Sequence, residues 1–397
     1  MHPFFKVSLV ILVFIFLTSC AAQKTVLSKY PIAFDAAVRT LADHMLEQIR
    51  DNQHKASWGQ TVIVIDPFID ANSAEVIKVS QQIEQIIFEQ AQNFNFALSL
   101  ITPQNLRNAQ YVMNGIIEFE NYSVNHKAQP EKYYRLSVSV VSLKTGKIIA
   151  DSKIWILDKN LNYTPVAFYQ DSPMYIKDNH TESLITTAKR TVGELADNTY
   201  YNFLETKALL VEAETVYEKN DFNNALILFN EVTKRSDGEL MRTYAGLYET
   251  YLKLEQTQDA EEAFSQLLAL SVQKNRRLNF KFLFKVNSVE FIDAPQLRKE
   301  YSLWLRLIAR YFKKNKSCFH IVGHSSKTGT VAYNDELSYL RAGIFQQRLQ
   351  ADFSNIGQIS KVLGKGFREN LVGSGTDDAQ DAIDRRVEIV VVDCSQI

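Results

Sequence analysis

Hydrophobic residues in the first third of the chain recur at helical spacing in some segments and form short runs typical of buried strands in others. A helical face is predicted over 34–49, where the apolar positions are Phe34, Val38, Leu41, Met45 and Ile49. The continuous apolar run at 61–65 stops at an Asp-Pro pair and predicts a buried strand. Asn72 and Glu75 have the spacing of a capping box, which predicts a helix over about 73–92.

More strands are expected after this helix. They are predicted at 96–101, 111–120, 133–141 and 147–156. A turn at 144–147 joins the last two, which makes them an antiparallel meander. Helices and strands mixed in this order predict an α/β domain over residues 30–160.

This region resembles the curli-secretion-channel subunit family and its relatives. The relatives include outer-membrane flagellar lipoproteins and lipoprotein activators of penicillin-binding proteins. The resemblance rests on the stretches VIVIDPFIDANSAEV, YVMNGIIEFE and SLKTGKIIADSKIWI. Members of the family do different things, so the resemblance implies a fold without choosing a function.

The middle of the chain changes to helical periodicity. Residues 161–182 contain two prolines and several Asn and Asp residues, which predicts a linker. In the following segment, 183–275, the pattern FNNALILF recurs as TQDAEEAF. The paired positions are Ala225 with Ala260, Phe229 with Phe264, and Val232 with Leu267. A small residue followed one turn later by an aromatic resembles tetratricopeptide repeats, of which about two fit; a plain helical hairpin is the alternative.

The last 120 residues alternate strands and helices again. Strands are predicted at 280–291, 318–322, 359–363 and 387–392. An amphipathic helix precedes the second strand, and another helix is expected after it. The order βαβαββ predicts a two-layer α/β domain over 276–397.

One stretch in this domain, IVGHSSKTGTVAYNDELSYLRA at 321–342, carries candidate chemistry. In a helix that begins near Tyr333, Asn334, Ser338 and Arg341 fall on one face. Gly323 and Gly329 allow a tight loop over the start of that helix, where backbone N–H groups favour an anion. Since an arginine can bind a carboxylate through two parallel hydrogen bonds, the spacing predicts a pocket for a small carboxylate-bearing group.

The C-terminal part, residues 276–397, closely resembles over its whole length the OmpA-like domain, a module that holds peptidoglycan non-covalently. The residues at the family's spacing are Gly323, His324, Ser325, Gly329, Tyr333, Asn334, Leu337, Ser338, Arg341, Ala342 and the run at 385–389. The resemblance implies that Arg341 holds the carboxylate of diaminopimelate in the stem peptide and that Asn334 bonds to the stem. It also implies that Ser325 and Arg385 line the pocket. The alternatives are a solvated surface charge for Arg341 and a helix cap for Asn334.

Two positions depart from the family's pattern. Ser326 stands where an aspartate usually meets the ammonium of diaminopimelate, and a hydroxyl cannot supply that charge. Weaker binding, binding of a modified stem peptide, and loss of the ligand all fit this change. Asp384 stands where the family has Asn, and a role in capping or turning the chain accounts for it.

An enzymatic interpretation of this stretch is weaker. The triplet at 327–329 resembles the Lys-Thr-Gly of penicillin-recognising enzymes, but those place it on a strand. A second copy at 144–146 falls in a predicted turn, so both copies are typical of turns. The motif supplies no acidic partner for His324, and no HExxH, GxSxG or CxxC pattern occurs. We therefore expect a protein that is not an enzyme and needs no cofactor or metal.

The N-terminus predicts export and lipid attachment. A lysine at position 6 and the apolar run at 7–17 have the form of a signal peptide. The run ends in Leu-Thr-Ser-Cys, which resembles a bacterial lipobox. This implies a signal peptide over 1–19, acylation of Cys20 (palmitate among its acyl chains), a tether over 20–29 and an outer-membrane location. An ordinary secretory signal is the alternative.

Net charge and cysteine content limit the classes of partner and the state of the thiols that we expect. The formal net charge of −1 shows no basic excess for nucleic acid. Cys318 and Cys394 remain as thiols in an oxidising compartment, either as a disulfide or as two buried free thiols.

Two functions follow from the sequence. We favour a non-enzymatic lipoprotein that links the outer membrane to peptidoglycan. The alternative is a regulatory or assembly lipoprotein, such as a wall-synthase activator or a component of a secretion or flagellar ring. In that case the OmpA-like domain only localises it, and a protein partner binds the N-terminal domain or the repeats.

Overall fold

The structure is a computed structural model that describes residues 24–52, 60–124, 127–292, 295–373, 375 and 380–397. The predicted signal peptide and Cys20 lie outside these residues. Within them, no helix combines the length and the hydropathy that a membrane span needs. Of the predicted tether, the structure describes residues 24–29, in which Thr25 bonds to the Glu47 carboxylate and the Lys29 carbonyl accepts from the Tyr122 hydroxyl.

The N-terminal region contains the predicted mixed sheet. Its strands are β1 (Thr61–Ile65), β2 (Ile69–Asp70), β3 (Phe96–Leu100), β4 (Tyr111–Val124), β5 (Lys127–Ser142) and β6 (Ile148–Ile156). They lie in the order β3-β1-β4-β5-β6, with β2 paired to β4. Strands β3, β1 and β4 are parallel, whereas β4, β5 and β6 form the predicted antiparallel meander.

Helices cover both faces of this sheet. Helix α1 (Phe34–Asn52) precedes β1, whereas α2 (Lys78–Gln92) and α3 (Pro103–Asn108) lie between strands in sequence. The apolar face of α1 that the sequence predicted is buried against β6 and α2. The predicted capping box is wrong, because α2 begins only at Lys78 and Glu75 is bonded to Lys281 instead.

Residues 161–182 are packed, in contrast to the expected linker. Helix α4 (Ala167–Asp171) buries Phe168 and Tyr169, and helix α5 (Asn179–Lys189) packs on β4 and β5. Between these helices, the Pro173 carbonyl accepts from the Lys281 N–H at 2.9 Å, and Met174 pairs with Phe280. The segment is therefore joined to the edge of the C-terminal sheet by an isolated antiparallel bridge.

The following helices form two hairpins. Short helix α6 (Asn198–Asn202) precedes them, and the hairpins are α7 (Leu204–Glu218) with α8 (Phe222–Thr233), and α9 (Met241–Lys253) with α10 (Thr257–Asn275). All six residues paired by the sequence pattern are fully buried, as that packing requires. A Cβ at Gly246 would lie 2.4 Å from the Phe229 ring, so the glycine allows α9 to approach α8 closely.

The C-terminal region has the predicted element order. It consists of β7 (Arg277–Phe280), α11 (Pro295–Asn315), β8 (Cys318–Gly323), α12 (Val331–Gln350), β9 (Ser360–Gly364) and β10 (Val387–Val392). The sheet order is β7-β10-β8-β9, with β8 parallel to β9 and β10 antiparallel to β7 and β8. Cys318 and Cys394 form a disulfide across the end of β8 and β10, with their Cα atoms 5.0 Å apart.

The strand predicted over 280–291 stops at Phe280. The chain then turns back on itself, and Phe284 pairs with Phe291. The alternating aromatics of this stretch fit a strand, but its side chains instead fill a cluster with Tyr301 and Trp304. The prediction failed here because tertiary packing, and not strand pairing, buries these rings.

Buried ion pairs join the three regions. Lys207 of α7 lies with its Nζ 3.1 Å from Oδ1 of Asp66, which follows β1. Lys281, just after β7, pairs with Glu75 of the N-terminal region. Removing one partner of a buried ion pair leaves the other charge buried and uncompensated, which is strongly destabilising. These contacts therefore fix the regions relative to one another.

Glu84 of α2 generates a prediction on pH and stability. Its carboxylate is buried and accepts from the Phe68 N–H at 2.8 Å. Burial, with a smaller contribution from Asp66, raises the pKa of Glu84 to about 8. The folded protein therefore keeps a proton that the unfolded chain loses at lower pH, so stability falls as pH rises toward 8.

We expect Glu84→Gln to flatten the pH dependence of the unfolding free energy between about pH 5 and 8. The group contributes a slope of at most about 1.4 kcal/mol per pH unit. Chemical denaturation at several pH values measures it. Glu89→Gln, on the exposed face of the same helix, is the control. Parallel profiles for Glu84→Gln and the wild type would show that Glu84 is ionised in the folded state.

Candidate functional site

The candidate site lies where α12 crosses the ends of β8 and β9. Gly323 and Gly364 end these two strands and pair with each other. A Cβ on Gly323 would lie 1.9 Å from the Ser338 carbonyl oxygen, and one on Gly364 would lie 2.7 Å from the Tyr339 backbone nitrogen. Only glycine at both positions lets the helix backbone rest on the strand ends.

Asn334 ties the loop 324–330 to the start of α12. Its Nδ2 donates to the carbonyl oxygens of Thr328 at 2.7 Å and Thr330 at 3.0 Å. Thr330 caps the helix by accepting from the Tyr333 N–H. Asn334 is buried and shapes the loop, whereas the helix cap that the sequence offered as the alternative for Asn334 is supplied by Thr330. Gly329 has φ +89°, which explains why a glycine stands at this turn.

Ser338 links the helix to the loop after β9. Its hydroxyl donates to the Asp335 carbonyl at 2.9 Å and accepts from the Gly366 N–H at 2.8 Å. The Gly366 carbonyl accepts in turn from the Ser325 N–H at 3.0 Å. Leu337, the preceding residue of α12, is also buried. Ser338 and Leu337 therefore hold the walls of the site in place.

Arg341 lies at the base of the site and is fully buried. Its Nε donates to the Ser288 carbonyl at 3.0 Å, Nη1 to the His324 carbonyl at 3.2 Å and Nη2 to the Lys285 carbonyl at 3.2 Å. The guanidinium carbon lies 5.1 Å from the centre of the Phe284 ring. Arg341 is thus not a solvated surface charge. These three bonds orient the guanidinium.

His324 is buried beside a network of charges. Its Nε2 lies 3.6 Å from Oε1 of Glu388. The same oxygen accepts a hydrogen bond from Arg386 at 2.6 Å, and Oε2 of Glu388 pairs with Arg277 at 3.0 Å. Burial, and then the positive charge of Arg386, lowers the pKa of His324 to about 2. The imidazole is therefore neutral. In the part of the chain that the structure describes, neither ring nitrogen has a hydrogen-bond partner.

The two serines of the loop differ in their surroundings. The Ser325 hydroxyl is fully buried and finds no hydrogen-bond partner among the described residues. Ser326 is 6% exposed. A buried polar group without a partner is costly, so the Ser325 hydroxyl is suited to an incoming donor or acceptor.

Asp384 organises the other wall. Its Oδ1 accepts from the N–H groups of Leu371 at 2.6 Å and Val372 at 3.2 Å, and its Oδ2 from Gly373 at 2.7 Å. Burial raises the pKa of this carboxyl, and the three backbone bonds oppose that shift. The departure from Asn therefore has the capping role that the sequence suggested. Arg385 follows it and is also buried.

Metal binding finds no support in the described ranges. They contain no group of three or more His, Cys, Asp and Glu residues arranged to hold an ion.

The two Lys-Thr-Gly triplets lie outside the strands, one in the turn between β5 and β6 and one in the loop before α12.

Sequence reasoning missed the contact between Arg341 and residues 285–288. These residues were predicted to be part of a strand, which would not fold over an arginine on α12. A local signal was present, since Asn287 adopts a positive φ (+51°) and Asn is enriched at such turns.

Comparisons with known proteins give a partial likeness. No protein-family model and no curated protein matches the sequence. Among solved structures, the chain is similar to the peptidoglycan-associated lipoprotein from Burkholderia pseudomallei at 25% identity, over 28% of this chain and 88% of that one, with a TM-score of 0.24.

Two other solved structures show a likeness of the same extent. The cell wall anchor of the T6SS from Pseudomonas aeruginosa is 25% identical, over 32% of this chain and 94% of that one, with a TM-score of 0.25. The periplasmic domain of Helicobacter pylori MotB is 18% identical, over 29% and 74%, with a TM-score of 0.24. With such scores, the function has to be inferred from the chain's own residues.

Arg341 generates a prediction on stability. We expect Arg341→Ala to lower the unfolding free energy by about 2–5 kcal/mol, because it leaves three carbonyls without their donor and opens a cavity. Arg348→Ala is the matched control, since Arg348 is exposed on the same helix. It should change stability by less than about 0.5 kcal/mol. Equal losses in the two variants, measured by denaturant unfolding, would contradict the structural role of Arg341.

Proposed function

We propose that residues 276–397 bind peptidoglycan non-covalently through a carboxylate of the stem peptide at Arg341. The observation that carries the proposal is the buried guanidinium of Arg341, oriented by three carbonyl oxygens at the end of the sheet. A buried charge attracts an opposite charge more strongly than a solvated one does, because the local dielectric constant is low. A carboxylate adds two strong, charge-assisted hydrogen bonds.

The motif supports diaminopimelate as the bearer of that carboxylate. Its spacing from Gly323 to Arg341 resembles that of the OmpA-like domain. Ser326 supplies no charge for the ammonium of diaminopimelate, so binding should be weaker than with an aspartate there. The buried Ser325 hydroxyl next to it is a second polar group for the ligand.

Binding, and not catalysis, is the chemistry we infer. His324 is fully buried and neutral, and its pKa of about 2 makes it a poor general base near neutral pH. The side chains of Asn334, Ser338 and Asp384 make structural bonds to backbone groups.

We further propose that acyl chains on Cys20 hold the protein at the periplasmic face of the outer membrane. Packing of the described chain begins close to that cysteine, with the Lys24–Asp51 ion pair and the bonds from Thr25 to Glu47. Four peptide units separate Cys20 from Lys24 (24 − 20 = 4), a reach of at most about 14 Å. The folded body itself, joined by its buried ion pairs, would therefore span the distance to the wall.

Ser326→Asp tests the ligand without removing a structural bond of Arg341. The full-length protein should co-sediment with purified sacculi, and the variant should bind about ten- to hundredfold more tightly, since a charge-assisted bond contributes about 1.5–3 kcal/mol. Ser354→Asp, an exposed serine in the same region, controls for the added charge. Circular dichroism of each variant verifies folding.

Different outcomes test different parts of the proposal. No sedimentation of the wild type or of Ser326→Asp would overturn peptidoglycan binding. Binding of the wild type with no gain in Ser326→Asp would leave the wall as ligand and exclude the diaminopimelate ammonium next to residue 326.

A further inference from the structure

We propose that residues 283–292, which we call the Arg341 lid, close over the guanidinium and must open to admit the ligand's carboxylate. The inference rests on the proposed function and adds a conformational control to it. It follows from which atoms the lid bonds to, from how the lid is built and from the space beside it.

The lid is a hairpin-like turn with its own internal bonds. The Ile292 N–H donates to the Leu283 carbonyl at 2.9 Å, and the Lys285 N–H to the Glu290 carbonyl at 2.9 Å. Lys285 and Glu290 also form an exposed ion pair of 2.7 Å. These bonds hold the turn in its closed conformation, and opening the lid breaks them.

Two lid carbonyls occupy one edge of the Arg341 guanidinium. Ser288 accepts from Nε at 3.0 Å and Lys285 from Nη2 at 3.2 Å. Nε and Nη2 lie on the same edge of the planar group, and that edge is one of the two on which a carboxylate forms paired hydrogen bonds. A ligand that uses this edge must therefore displace both carbonyls. The bond from Nη1 to the His324 carbonyl does not involve the lid and can keep the guanidinium in place.

The base of the lid is anchored and its tip is exposed. Phe282 and Phe284 are buried, whereas Val286 at the tip is 46% exposed. A groove of about 410 Å³ separates the turn from α11 and α12, with Val289 on one side and Leu305 and Ile344 on the other. The tip is thus less tightly packed than its base.

Asn287 sets the balance between closed and open lid. It has φ +51° in the closed turn, a conformation that asparagine tolerates and β-branched residues strongly disfavour. Apparent affinity scales with the fraction of molecules in the binding-competent state. Asn287→Val should therefore favour the open lid and tighten ligand binding by about fivefold. Asn287→Gly keeps φ positive without strain and should stay within about twofold of the wild type.

Hydrogen exchange on the ligand-free full-length protein tests the lid directly. The amides of Lys285 and Ile292, which close the turn, should exchange by local opening, faster than the paired amides of β8 and β10. Asn287→Val should accelerate the lid amides alone. Lid amides that exchange only as fast as the core would overturn the proposal.

Sacculus binding of the wild type, Asn287→Val and Asn287→Gly separates this proposal from the proposed function. Tighter binding by the valine variant alone supports the lid, and so does binding by that variant when the wild type fails to bind. Equal binding by all three overturns the lid and leaves peptidoglycan binding standing. Binding by none overturns the function and the lid's role together.

Discussion

The C-terminal region is organised around the buried guanidinium of Arg341. Its three bonds hold together segments that are far apart in sequence: the turn at 285–288, the loop after β8 and helix α12. The helix reaches this position only because Gly323 and Gly364 leave room for its backbone. In the proposed function, the same side chain both binds the ligand and holds the fold, so its removal cannot test binding alone.

A second set of buried charges joins this region to the rest of the chain. Glu75 pairs with Lys281, and residues 173–175 bridge to the edge of β7. An uncovered sheet edge is prone to pair with other chains, so this bridge also covers part of the edge of the C-terminal sheet. The protein is therefore better described as three regions with shared interiors than as domains on flexible linkers. A lipid anchor at one end and a wall site at the other would then be connected by a stiff body.

Local patterns in the sequence predicted most elements, and tertiary contacts account for the misses. The βαβαββ order, the meander and the glycines of the site all follow from short-range periodicity and turn chemistry. The capping box at Asn72 and Glu75 failed because Lys281, two hundred positions later, takes the carboxylate. Prolines in 161–182 suggested a linker, but Phe168 and Tyr169 find a buried position against helices that no local pattern reveals.

In the candidate site as well, local patterns predicted some features and long-range contacts determined the others. The sequence placed Asn334, Ser338 and Arg341 on one helical face, and α12 carries them there. It gave no indication that Lys285 and Ser288 cover Arg341, because their contact joins positions more than fifty residues apart.

The most direct test is calorimetric titration of the full-length protein with two soluble stem peptides that differ only in whether the diaminopimelate carboxylate is free or amidated. The account predicts at least about tenfold tighter binding of the free carboxylate, from the loss of one charge-assisted interaction. Equal affinity for the two peptides would contradict it.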